Sequence, residues 1–154
     1  MGACIWFTQV TFLVVNGFSA ESSSGPDGPM RGFDFQTLSR IDVLFVLKDE
    51  TFRTAITPKT IERVYHDKVS VKKTPKSEIF EVLCDFIRSV STRDVRHGGD
   101  IRYALFGYDI KGVRLFSLYL DYPGEDGFLD EQMITTSPAI KPWLDNNVLI
   151  LSRK

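Results

Sequence analysis

Few residues in this chain could do chemistry, and they are scattered. The only histidines are His66 and His97. His97 stands in Arg93-Asp-Val-Arg-His-Gly-Gly-Asp100. An imidazole and a carboxylate beside a Gly-Gly pair have the makings of a general-base site, with the nearby arginines to hold an anionic substrate. The same run also reads as a solvated loop between a helix and a strand, and its glycines lack the spacing of a phosphate-cradling loop. His66 closes a predicted helix, where a cation suits the helix dipole. Cys84 becomes a nucleophile only if a histidine reaches it. It lies on the apolar side of a predicted helix, where a free cysteine packs as a small hydrophobe. The chain contains no Gly-x-Ser-x-Gly, Cys-x-x-Cys or His-Glu-x-x-His. These residues therefore assign no catalytic group, no cofactor and no metal ligand.

The charged residues are more informative. Asp121, Glu125, Asp126, Asp130 and Glu131 crowd one segment that also holds Tyr122, Phe128 and Leu129. Acidic groups interleaved with aromatics can form a protein-binding surface steered to a basic partner. The partner-binding candidates are Tyr122, Glu125, Asp126, Phe128, Asp130 and Glu131. An ordinary solvated loop accounts for the same composition, and the carboxylate spacing does not match an EF-hand. Lys68, Lys72, Lys73 and Lys76 form one basic stretch; Arg88, Arg93, Arg96 and Arg102 form another. The net charge of −1 argues against bulk nucleic-acid binding, which needs a basic face to neutralise phosphates.

The N-terminal third is of a different character. Residues 3–20 are mostly apolar, with no lysine or arginine before Arg31, and a Ser/Gly/Pro-rich run follows at Glu21–Pro29. This layout predicts a signal-peptide-like leader over 1–20, a flexible linker over 21–32 and a single domain over 33–154. Thr8, Gln9, Thr11 and Asn16 are too polar for a comfortable membrane span, and none is expected in the mature domain. Val10–Val15, rich in β-branched residues, alternatively suits a sheet strand of an intracellular domain. Trp6 stands where an N-myristoylation motif needs Ser or Thr. With Cys4 in the leader, Cys84 is left unpaired, so cysteine usage does not fix the compartment.

A chain of 154 residues, 43% hydrophobic and 25% charged, can bury a self-sufficient core. The elements around the candidate residues read as α+β. They comprise a mostly antiparallel sheet centred on a long hairpin at about 101–120, one long helix at about 75–91, and short flanking helices. Ile41–Leu47 reads as a buried strand turning at Lys48–Thr51 into a second strand, Phe52–Ile56. Thr57-Pro58 starts a short helix running to about His66, and Val69–Val71 is a brief strand. Thr74-Pro75 starts the long helix, whose Ile79, Leu83, Phe86, Ile87 and Val90 recur at helical spacing. Asp109–Gly112 turns the central hairpin, and its Phe116, Leu118 and Leu120 point toward that helix. Tyr122–Gly127 reads as a turn-rich loop. Ser137-Pro138 starts a third helix that Pro142 should shorten or distort, and Val148–Leu151 reads as a closing strand.

A leader, a linker and an α+β domain without catalytic motifs fit an exported, periplasmic or extracellular protein. Such a protein acts by occupying another protein's surface, as an inhibitor or immunity-type protein does. The alternatives are an intracellular structural or regulatory domain and a small enzyme using the His97/Asp100 loop.

Overall fold

The computed structural model describes residues 28–47, 50–93, 99–137 and 139–152. The predicted leader, most of the linker and His97 lie outside these residues. Seven strands form one antiparallel sheet: β1 (Arg40–Phe45), β2 (Asp67–Lys72), β3 (Ser91–Thr92), β4 (Ile101–Tyr108), β5 (Arg114–Asp121), β6 (Asp126–Leu129) and β7 (Gln132–Thr135). Their spatial order is β2-β1-β4-β5-β6-β7-β3. Three helices complete the described fold: α1 (Pro58–Val64), α2 (Glu78–Ser89) and α3 (Ile140–Ser152).

The expected centre is present. β4 and β5 pair as a long hairpin through a turn in which Gly112 takes φ +82°, a conformation that only glycine adopts without strain. Phe116, Leu118 and Leu120 point to one face, where they bury with Phe80, Leu83, Phe86 and Ile87 of α2 and with Ile140 and Leu144 of α3. Leu44, Ala104, Phe106 and Tyr119 bury on the opposite face with Ile61 of α1. The sheet is therefore sandwiched between helices, with α1 packed on β4 and β1.

Helix α2 starts three residues after Thr74-Pro75. Ser77 is its N-cap, and the serine Oγ accepts the Phe80 N–H at 3.3 Å. Thr74 and Pro75 form the turn leading in, closed by the Ser77 N–H donating to the Thr74 carbonyl at 3.1 Å. Glu78 and Glu81 in the first turn and Arg88 in the last suit the helix dipole.

Three expectations are corrected. Strand β1 does not pair with Phe52–Ile56; it lies between β2 and β4, and both its edges are taken. Residues 51–55 are exposed, and only Ile56 is buried. Residues 148–151 belong to α3 and are not a strand. Pro142 does not cut this helix short, because it lies in the first turn, where the missing N–H removes no intrahelical bond. At the start of the described chain Met30 is buried in the main core cluster, and Phe33 lies edge-on to Phe116 at 5.6 Å.

Candidate functional site

The acidic segment folds as the β6–β7 hairpin and its approach. Tyr122–Gly127 is not simply a loop, because β6 begins at Asp126. Gly127 permits this: a Cβ there would lie 1.9 Å from the Tyr119 carbonyl oxygen, so only glycine lets β6 come alongside β5.

Two of the five carboxylates brace the backbone. Asp121 is buried at the end of β5, and its Oδ1 accepts the N–H groups of Gly124 at 2.9 Å and Glu125 at 3.2 Å. Burial raises its pKa above the ordinary 3.8, partly offset by the N–H donors of Asp126, Gly124 and Glu125. Gly99 lies so close that a Cβ on it would meet the Asp121 Cβ at 2.7 Å. Asp130 takes φ +52° in the two-residue turn between β6 and β7 and accepts the Ser117 N–H at 2.8 Å. The other three accept no backbone N–H among the described residues. Asp126 is half-buried, 3.5 Å from the guanidinium of Arg93. Glu125 and Glu131 are exposed, and neither carboxylate forms an ion pair among the described residues.

The aromatic candidates diverge. Tyr122 is half-buried with Lys141 Nζ 5.0 Å from its ring centre, on the α3 side. Phe128 is half-buried on the opposite face. There the register sets Tyr119, Phe128 and Met133 in one row across β5, β6 and β7. Asp126 stands on the same face two residues along β6, with Thr135 and Ser91 beside it. Tyr119 is buried beside α1, so the half-exposed part of this row is Phe128 and Met133, with Asp126 and Thr135 next to them.

The other chemical candidates hold structural posts. Asp100 accepts the Ile56 N–H at 2.7 Å with Oδ1 and pairs with Arg102 through Oδ2 at 2.6 Å. Arg102 in turn donates to the Leu47 and Glu50 carbonyls. Both carboxylate oxygens of Asp100 are thus committed to clamping the chain before α1 onto β4. His66 lies 3.1 Å from Glu50 in the open. Cys84 is buried in the core, and burial pushes its thiol up to about 11, leaving it protonated and inert near neutrality. Among the described residues, no three His, Cys, Asp or Glu side chains come together as metal ligands.

Three clusters escaped sequence reasoning. Buried Asp42 on β1 gathers Ser70 at 2.8 Å, Arg40 at 3.0 Å and Lys68 at 3.2 Å. Its place in an apolar run hid it. Glu62 of α1 meets Arg114 and the Tyr119 hydroxyl. Tyr103 donates to Asp145, which also holds Lys141 at 2.5 Å. Each joins elements far apart in sequence, and no local motif announces it.

Comparison of the chain with protein-family models, with curated proteins and with solved structures finds no match. What the observations define is a class: an α+β domain whose seven-stranded antiparallel sheet carries helices on both faces. No helix of the described residues is long and apolar enough to cross a membrane.

Proposed function

We propose that this domain is an exported binding protein that acts by occupying the surface of another protein, in the manner of an inhibitor or immunity protein. Its contact region is the half-exposed face of β6 and β7 and the turns that flank β6. The observation that carries the reading is the half-exposed pair Phe128–Met133, with Asp126 on the same face and the unpaired carboxylates of Glu125 before β6 and Glu131 in the turn after it. An apolar centre inside a charged rim is the anatomy of a protein interface. Half-exposed Phe128 and Met133 supply the anchors, and the carboxylates steer a basic partner toward them. The surface rests on a rigid base, because Asp121 and Asp130 pin the turns to which Glu125 and Glu131 belong.

The test begins with unbiased capture of partners by the full chain and continues with association kinetics. The Glu125→Gln/Glu131→Gln protein should fold normally, associate more slowly and lose salt dependence. Met133→Lys should shorten the lifetime of the complex. Unchanged kinetics in both proteins would refute the reading.

A further inference from the structure

We infer that the end of the sheet carrying the β4–β5 turn is a docking surface for an anionic phospholipid bilayer. Among the described residues, four large hydrophobics are exposed: Phe52, Tyr65, Ile110 and Val113. Two of the four stand on this one turn, Ile110 at 89% exposure and Val113 at 55%. The turn is firmly braced. Asp109 Oδ1 accepts the N–H groups of Lys111 and Val113, both at 2.8 Å, and the Asp109 N–H donates to the Val113 carbonyl at 3.0 Å. Ile110 is therefore held out from the fold by a fixed backbone.

Cations surround it. Arg40, Lys72, Lys73 and Lys111 line an open depression of about 500 Å³ together with Ile110 and Asp109. Lys72 and Lys111 form no ion pair among the described residues. Lys73 rests on the Gln36 carbonyl at 3.2 Å, and Arg40, which lies over the Tyr108 ring at 4.4 Å, is already paired with Asp42 at 3.0 Å, so Lys72, Lys73 and Lys111 are the cations left to meet an anion. The single carboxylate in the set, Asp109, is occupied by the turn.

These lysines come from two separate stretches of chain and line a shallow, open hollow. Such a layout suits a plane of phosphates better than one enclosed ligand, which sites of small molecules bury deeply. A projecting aliphatic side chain amid lysines is the pairing that interfacial binding uses: the apolar group enters the acyl boundary while the cations meet anionic headgroups.

Vesicle co-sedimentation tests this with the full chain, using phosphatidylcholine vesicles with and without phosphatidylserine. The protein should bind the anionic vesicles, and binding should weaken as salt rises. Lys72→Glu/Lys111→Glu and, separately, Ile110→Asp should each weaken it about tenfold or more. All of these positions are on the surface, so circular dichroism and thermal midpoints should match the unaltered protein. Residues 3–20 are the same in every chain, so only the difference between proteins bears on the site. Equal binding by the variants overturns the inference, as does failure to bind the anionic vesicles. Saturable binding of inositol hexakisphosphate without vesicle binding also overturns it, in favour of a soluble anion.

Discussion

Arg114 and Glu62 face one another through two parallel hydrogen bonds, of 3.1 and 3.2 Å, that tie β5 to α1. A bulge sets up the meeting. Gly107 pairs with Phe116 but Tyr108 pairs with Arg114, which leaves Leu115 as the extra residue. Arg114 therefore turns to the α1 face, where it stacks on Phe106 with its guanidinium carbon 3.9 Å from the ring centre. The Arg114 hydrogen bonds hold the Glu62 carboxyl below its ordinary 4.5.

The sign of the pH effect follows. Where Glu62 is ionised in the folded protein but protonated in the unfolded chain, the unfolded state binds more protons. The contribution is present above the ordinary value and is lost as pH falls through the depressed one. Both side chains are 37–38% exposed, so solvent screening limits the pair to about 0.2–1 kcal/mol. Glu62→Gln should lower stability at pH 7 by about that amount and lose less on acidification below about pH 5. Urea unfolding across this range measures both.

Asp121 pulls the other way. Burial raises its carboxyl above 3.8, so the folded state holds the proton longer than the unfolded chain. Its contribution is complete below 3.8 and is lost as pH rises through the raised value. Asparagine keeps an oxygen for the Gly124 and Glu125 N–H groups and removes the buried charge. Asp121→Asn should match or exceed the unaltered protein in stability at pH 7, and the gap should close as pH falls toward 3.8. A large destabilisation at pH 7 would mean that the charge itself is needed there.

Phe86 and Phe116 are both buried in the core between α2 and the sheet. Either one replaced by alanine should cost about 3–5 kcal/mol. Phe116 has an added constraint, because its ring lies over Gly107, where a Cβ would meet it at 2.2 Å. Gly107→Ala should therefore destabilise strongly alone and much less in a Phe116→Ala background. A double-mutant cycle reads this coupling directly, and additive effects would contradict the packing.

Legibility followed the range of the interactions. The β4–β5 hairpin and α2 were readable because a turn glycine and a helical period are local signals, and the buried faces of Phe86 and Phe116 came with them. The partner of β1 was not readable: pairing with Asp67–Lys72 across α1 is a long-range choice, and the nearer Phe52–Ile56 carries the same strand composition. The β6–β7 hairpin was hidden because Gly127, Asp126 and Asp130 are residues that strands normally avoid. Helix α3 was expected but its length was hidden, because Pro142 and the β-branched Val148 argue against a long helix unless its start is known. Within the candidate site, sequence placed the carboxylates together but could not separate those that brace the backbone from those that do not.

Asp130 offers the sharpest test of that separation. It holds a left-handed conformation at φ +52°, and its carboxylate accepts the Ser117 N–H while its own N–H donates to the Ser117 carbonyl. Asparagine tolerates this conformation and still accepts the bond, so Asp130→Asn should fold with nearly unchanged stability. Glycine keeps the conformation and loses the acceptor, a loss of about 0.5–1.5 kcal/mol. Alanine loses the acceptor and also carries the strain of a Cβ in the left-handed region, about a further 1 kcal/mol. The expected order of stability is therefore Asp and Asn together, then Gly, then Ala, measured by urea midpoints. Glu131, one residue on, has no such duty, and Glu131→Ala should stay within about 0.5 kcal/mol of the unaltered protein. If Glu131→Ala proved as costly as Asp130→Ala, the side chain would be bracing the turn, and its place at the rim of the proposed contact face would have to be given up.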